Sequence, residues 1–280
     1  MILKAYAKIN LTLDVVGKRD DGYHLLKMIM QNIDLYDLIE INKKSSGIEI
    51  SCNVKKIPLD ERNIAYKAAK IFIDKYDIKS GVKINIHKNI PIAAGLAGGS
   101  TDAAAVLNGM NKIFKVNADV KEIMEIGLKA GADVPYCIVG GTALCSGIGE
   151  NVKKLKHLRN VIVVLVKPSF GVSTKSVYAR FDVNKVYNHP DTYGMIQAIQ
   201  KNNINHIGIE MRNVLENITL GMHPVLKDIK NEFMDMGANG ALMSGSGPSV
   251  YGIFKDMLTA QRCYDKFKEK YKDVFITRTI

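Results

Sequence analysis

A chain of 280 residues, 47% hydrophobic and 24% charged, has the size and balance of one large or two modest soluble globular domains. Its longest apolar run, Val161–Val166, is a strand in length and excludes a bilayer span. The N-terminus has no signal-peptide build, and four scattered cysteines (Cys52, Cys137, Cys145 and Cys263) without a C-x-x-C pair read as reduced thiols of a cytoplasmic protein. A net charge of +11 and a pI of about 9.3 suit anionic partners, but the basic residues are scattered over a lysine-rich surface and form no dense nucleic-acid patch.

Residues 2–16 predict one long strand. Ala5, Ala7, Ile9, Leu11, Leu13 and Val15 take one face, and Tyr6, Lys8, Asn10, Thr12 and Asp14 the other. Lys8 and Asn10 then lie on one side, roughly 7 Å apart. A lone strand lysine is most often a solvated edge residue, so Lys8 claims no role by itself. The charged turn Gly17–His24 ends in Tyr23 and His24, which alone read as ordinary flanking residues. Residues 25–41 predict a second long strand, and 48–52 a short one after the Ser45-Ser46-Gly47 turn. Asp60–Ile64 opens a helix with Ile64, Ala68, Ile71 and Phe72 as its buried face, ended by a turn at Lys79–Gly81.

Val82, Ile84 and Ile86 alternate with polar residues in a half-buried strand over 82–87, and Pro91 stops it. There follow Pro91, Ile92, Ala93, Ala94, Gly95, Leu96, Ala97, Gly98, Gly99, Ser100 and Thr101. The glycines permit a tight, bare turn. Ser100 or Thr101 predicts a helix N-cap and Asp102 an acid in the first turn, with Ala103, Leu107, Met110 and Phe114 recurring at helical spacing. Strand, glycine loop and helix N-terminus in this order gather free backbone N–H groups and a positive dipole end at one point, the make-up of a phosphate site. The loop is neither a Walker A motif nor the G-x-G-x-x-G fingerprint, and the protein-kinase motifs are missing. On its local pattern the lesser alternative is a glycine-rich helix start that binds nothing.

A helix over 119–129 precedes Gly131-Ala132-Asp133-Val134-Pro135. Asp133, two residues before proline, is expected in extended backbone. Read locally, it is an aspartate accepting backbone N–H bonds in a turn. Strands around 137–145 and a turn at Gly147–Glu150 close this half, with the boundary near 150–160. The second half predicts a strand at Val161–Val166, a loop over 168–173, a helix over Thr174–Arg180 and an irregular stretch over 182–190. Helices near 192–201, 208–216 and 224–236 come next. Strand Ala241–Met243, loop Ser244–Ser249, strand Val250–Phe254, helix Met257–Tyr271 and strand Val274–Ile280 complete a ferredoxin-like split βαβ order.

Three motifs stand in the order of the GHMP kinases (galactokinase, homoserine kinase, mevalonate kinase and relatives): the strand segment Ala5–Leu13, the loop Pro91–Thr101 and the second glycine loop Gly240–Val250. Pro-Ile-Ala-Ala-Gly-Leu-Ala-Gly-Gly-Ser-Thr-Asp-Ala-Ala resembles that family's P-x-x-x-G-L-x-x-S/G-S-x-x-A/S-A loop. The resemblance implies a two-lobed α+β fold, with a ribosomal-protein-like α/β domain over 1–155 and a ferredoxin-like split βαβ domain over 156–280. It implies ATP as phosphoryl donor, Pro91–Thr101 as the phosphate cradle, and Asn63, Ile64 and Lys88 along the adenine pocket. Asp133 would take the proton of the acceptor hydroxyl, Lys8 would be its charge partner, and Asn10 would hydrogen-bond nearby.

Ala7–Leu11, Arg19–Leu25, Gly131–Pro135 and Ser244–Ser249 resemble one branch of the family. That branch phosphorylates the 2-hydroxyl of a cytidine diphosphate alcohol on the non-mevalonate route to isoprenoid precursors. There Tyr23 would stack on the cytosine, His24 would hydrogen-bond its edge, and Tyr178 would form a second aromatic wall. Mg²⁺ is implied with ATP, but no acid lies on the loop before Asp102, so no protein ligand is assignable and phosphates and water would hold it. Ala97 stands where many relatives have glycine, which limits its backbone angles. The small-molecule partners are thus ATP and the cytidylated alcohol, with neither nucleic acid nor membrane expected. The rival readings are another GHMP kinase, of the homoserine or mevalonate type, and a basic RNA-binding protein, although aromatic and basic residues are not clustered as in RNA modules.

Overall fold

Two long antiparallel strands, β1 (Ile2–Lys18) and β2 (His24–Lys44), form the spine of the computed structural model, which describes residues 1–186 and 188–280. β3 (Ile48–Cys52), α1 (Ile64–Lys75) and β4 (Gly81–His87) follow. β4 pairs antiparallel with the second half of β2 and parallel with β3. Ile39, Ile41, Val82, Ile84 and Ile86 of this sheet share a core with Ala65, Ala68, Ala69 and Phe72 of α1. Ile64 and Ile71, expected on that face, are only half-buried and pack at the edge of this core.

α2 (Gly98–Ile113), α3 (Val120–Ala130) and the short α4 (Val134–Val139) complete this layer. Neither Ser100 nor Thr101 caps α2: the cap is Ala97, in left-handed backbone, and both hydroxyl residues lie inside the first turn. Asp102 is the fifth residue of the helix, buried and just past the first turn where an acid was expected. Asp133 is not extended either. Its backbone is helical (φ −81°, ψ −12°) and it stands at the N-cap of α4, so 137–139 is helix and not strand. Pro135 allows this because it sits in the first turn, where its missing N–H has no intrahelical partner to lose.

β5 (Thr142–Gly147) and β6 (Asn151–Lys154) form a hairpin against the first half of β2. β7 (Ile162–Lys167) and α5 (Thr174–Arg180) follow. The stretch expected to be irregular carries one 3-10 turn at Val183–Lys185, and Tyr187 within it lies outside the described residues. α6 (Thr192–Gln200) and α7 (Ile204–Glu210) come next. The helix expected near 208–216 is interrupted by β8 (Arg212–Asn213), which pairs parallel with Thr12 and Leu13 of β1, before α8 (Glu216–Met222) begins. Asn213 explains the break. Its amide donates to the carbonyls of Met243 and Gly245 at 2.9 and 2.7 Å and its oxygen accepts from Leu215 N–H at 3.0 Å, so side-chain bonds outcompete a continuous helix.

α9 (Val225–Asp235), β9 (Gly240–Met243), β10 (Val250–Phe254), α10 (Met257–Lys268) and β11 (Asp273–Arg278) finish the chain. The second sheet runs β11-β7-β10-β9, all antiparallel, which is the split βαβ order expected. Ile9, Leu11 and Ile29 of the first sheet share a core with Val163, Leu165, Leu242 and Tyr251 of the second. The middle of β1 is therefore buried on both faces, and its alternation is broken by register shifts near Lys8 and Asn10. Lys8, far from being a solvated edge lysine, is 4% exposed. Among the described residues no helix is long and apolar enough to cross a membrane.

Candidate active site

Two glycine loops meet over the centre of β1. The first turns on positive φ at Ala93 (50°), Gly95 (74°) and Ala97 (57°). For the two alanines this left-handed backbone costs about 1 kcal/mol each. Gly95 has no substitute: a Cβ there would stand 2.2 Å from the carbonyl oxygen of Ser244 in the second loop. The Ser244 hydroxyl donates to the Gly95 carbonyl at 2.9 Å, and β1 holds the first loop from below through Lys8 N–H to the Leu96 carbonyl at 3.2 Å. Thr101 donates its hydroxyl to the Tyr6 carbonyl at 2.8 Å. The loop thus ends at the start of α2 with helix N-terminal N–H groups turned free of intrahelical partners.

Lys8 and Asn10 fasten this junction. The Lys8 ammonium donates to Asn10 Oδ1 at 2.7 Å and to the Gly95 carbonyl at 3.0 Å. Asn10 Oδ1 also accepts from Gly245 N–H at 3.0 Å, and its backbone carbonyl accepts from the Tyr251 hydroxyl at 2.7 Å. Burial pulls the Lys8 ammonium below the usual lysine range, and the charge of Asp133 pushes back. Two of the three Lys8 N–H groups are used by Asn10 and Gly95, and no ion pair within 4 Å joins Lys8 to Asp133 among the described residues. Two neighbouring thiols stay protonated: burial pushes Cys145 up to about 12 and Cys137 well above its ordinary value.

All of this opens on one cleft of about 1330 Å³. That is more than a single drug-sized ligand needs, and leaves room for a nucleotide beside a second substrate. Its wall brings together Lys8, Asn10, Asp133, the loop from Pro91 to Ser100, Asn63, Ile64, Lys88, Tyr23, His24 and Tyr178. Of the residues singled out from sequence, Thr101 alone is not on that wall. Asn63 and Lys88 reach it with their polar groups already engaged: Asn63 caps α1 by accepting from Ala65 N–H at 2.9 Å, and the Lys88 ammonium is paired with Asp37 and Asp102.

At the other end His24 lies against Tyr178, ring centroids 5.0 Å apart, and meets Phe181 edge-on at 6.1 Å. Burial and the nearby Lys18 lower the His24 pKa, so the neutral ring offers one donor and one acceptor. Tyr23 is 59% exposed at the rim. Sequence reasoning missed Phe181, Met28, Gly245, Ser246 and Thr174 on this wall. The second glycine loop was visible as a motif and was the available signal for Gly245 and Ser246. Thr174, whose hydroxyl is 2.8 Å from that of Ser246, carried none.

The chain matches the family model for the GHMP kinases N terminal domain over residues 63–141 and that for the GHMP kinases C terminal region over residues 195–273. The chain belongs to the GHMP kinase family. Within the GHMP kinases it is 64% identical to 4-diphosphocytidyl-2-C-methyl-D-erythritol kinase of Clostridium botulinum, over 100% of both chains. It is 59% identical to the enzyme of that name from Clostridium novyi (strain NT), again over 100% of both. A crystal structure of 4-(cytidine 5'-diphospho)-2C-methyl-D-erythritol kinase superposes with a TM-score of 0.86 at 29% identity, covering 100% of this chain and 99% of the other. Homoserine kinase from Cytophaga hutchinsonii shares the GHMP kinase fold at a TM-score of 0.79 and 19% identity, over 98% and 93% of the two chains. Among the described residues of this GHMP kinase no group of three or more His, Cys, Asp or Glu could hold a metal ion.

Proposed function

We propose that the cleft transfers the γ-phosphoryl group of ATP to the 2-hydroxyl of 4-diphosphocytidyl-2-C-methyl-D-erythritol, a step in non-mevalonate isoprenoid precursor biosynthesis. Asp133 is the general base and Lys8 its charge partner. The observation that carries this assignment is the Lys8 ammonium, fixed to the carbonyl of Gly95 on the glycine loop and facing the same cleft as Asp133. The acceptor oxygen bonds to the γ-phosphorus as the bond to the β,γ-bridging oxygen breaks. The hydroxyl proton passes to the Asp133 carboxylate and ADP leaves. Positioning and charge stabilisation dominate such transfers. The third Lys8 N–H is the donor available to the moving phosphoryl group.

The backbone of Pro91–Thr101 cradles the phosphates, while Asn63, Ile64 and Lys88 lie at the adenine end. Mg²⁺ would accompany ATP, with phosphate oxygens and water as its ligands; among the described residues no group of three or more His, Cys, Asp or Glu is gathered to hold it. Tyr23 and Tyr178 flank the cytosine, with neutral His24 reading its edge and Asn10 close to the reacting alcohol. A division at 155/156 puts the first glycine loop and both reacting side chains on one domain and the second loop on the other. A cytoplasmic location is part of this reading, and the four cysteines, all free thiols, support it.

A phosphoryl-transfer assay with ATP tests this, using the cytidylated alcohol beside homoserine and mevalonate. Turnover is expected with the cytidylated alcohol alone. Equal turnover with another alcohol, or a cytidine diphosphate group that adds no affinity, would contradict it.

A further inference from the structure

Lys88 is the second buried lysine of this cleft. Its ammonium pairs with Asp37 of β2 and, at 2.8 Å, with Asp102 of α2. Lys88, Asp37 and Asp102 are 8%, 0% and 4% exposed. Asp37 is fully used. Its Oδ2 takes Lys88, and its Oδ1 accepts from the N–H groups of Asn89 at 2.6 Å and Ile90 at 2.8 Å. Asp102 is not: its Oδ2 accepts from Lys88, while its Oδ1 is buried with no hydrogen-bond partner. The cluster lies beneath the start of α2. A Cβ on Gly98, the first residue of that helix, would stand 3.1 Å from Lys88 Nζ.

Two carboxylates and one ammonium leave a net charge of −1 when all three are ionised. A buried negative charge under a loop that receives a polyphosphate opposes binding, and water screens it poorly. One proton on Asp102 makes the cluster neutral and removes the penalty of a charged oxygen with no partner. Burial is the main cause that pushes Asp102 up to about 7, with Asp37 adding to it and Lys88 opposing. Lys88 itself stays charged, because the two carboxylates outweigh the effect of its burial. The Cys52 thiol of β3, which also feels this cluster, is pushed up by burial and stays neutral.

We propose that Asp102, held by Lys88 and Asp37, is a proton-linked positioning residue of the phosphate loop, and that nucleotide binding takes up a proton on its unpaired oxygen. The inference rests on the reading of Pro91–Thr101 as the phosphate cradle. Its sign follows from linkage: binding favours the protonated form, so nucleotide affinity is highest below the Asp102 pKa of about 7 and weakens as pH rises through and above it.

The test titrates the full chain with MgADP by calorimetry at about pH 7.5 in two buffers of different ionisation heat, and measures KM for ATP from about pH 6 to about pH 8.5. Wild-type protein takes up most of one proton, and its KM for ATP rises several-fold across the range. Asp102→Asn takes up none at this site and flattens the rise. The KM for the alcohol follows the same pH course in both. A merely structural Asp102 would lower the melting temperature of the variant and leave the proton count unchanged, which would overturn the proposal. Should Asp102→Asn fail to fold, the wild-type heats decide alone, and nucleotide binding without proton uptake overturns it. A chain that binds no MgADP at all would overturn the phosphate-loop reading, and this inference with it.

Discussion

The cleft holds two buried lysines in opposite electrostatic settings. Lys8 is held by neutral acceptors, an amide oxygen and a backbone carbonyl, and burial pulls its pKa down. Lys88 is held by two carboxylates, and its pKa is raised. An ammonium with neutral partners keeps most of its field for whatever enters the cleft, whereas one compensated twice over has little left to give a ligand. The same residue type is thus a reagent in one place and an anchor in the other, and what separates them is the charge of the groups that touch them. Neither role could be assigned from burial alone.

The comparison can be broken at four points. Asp133→Asn removes the proton acceptor on which the Lys8 side depends. Turnover is expected to fall by about 100-fold or more, while ATP affinity changes little; steady-state rates with an equilibrium nucleotide titration separate the two. Lys88→Met attacks the anchor and leaves two carboxylates buried without their cation. A loss of about 3–5 kcal/mol in unfolding free energy is expected by urea denaturation near neutral pH. A loss under 1 kcal/mol would mean that the carboxylates do not depend on Lys88.

Lys8→Ala, by contrast, should register mainly in kcat, by about 3 kcal/mol of transition-state stabilisation, as for the loss of one charge-stabilising donor. If its principal effect is on stability, Lys8 is an anchor like Lys88 and the contrast disappears. Tyr23→Ala sharpens the picture at the far end of the cleft. Loss of one stacking face should raise KM for the cytidylated alcohol by about 1–2 kcal/mol equivalent and leave KM for ATP alone. Equal shifts for both substrates would remove the stacking role.

Much of this molecule was legible in its sequence where local periodicity and tertiary structure agree. The strands at 82–87 and 48–52, the helix after Asp119 and the split βαβ order all fall where alternation and turn residues put them. The glycine loop was legible because a strand, bare turn and helix start leave little else for the chain to do. What was hidden depends on distant partners. Lys88 and Asp37 are 51 residues apart, so nothing near Lys88 announces that its ammonium is occupied. Asp133 was expected to be extended from its proline, but the first turn of a helix tolerates that proline and the rule gives way. The break at Arg212–Asn213 follows from bonds that Asn213 makes to carbonyls some 30 residues later, invisible to any helical pattern. Ala97 caps α2 in left-handed backbone because the loop is pinned on both sides, which overrides the preference for a serine or threonine cap.

The central claim is that Lys8 and Asp133 act on one event, the passage of the phosphoryl group as the proton leaves. A double-mutant cycle on kcat with Lys8→Ala, Asp133→Asn and the pair tests it most directly. The account predicts strong non-additivity, the double variant being little slower than Asp133→Asn alone. Rate losses that simply multiply would show two residues working independently, and would contradict it.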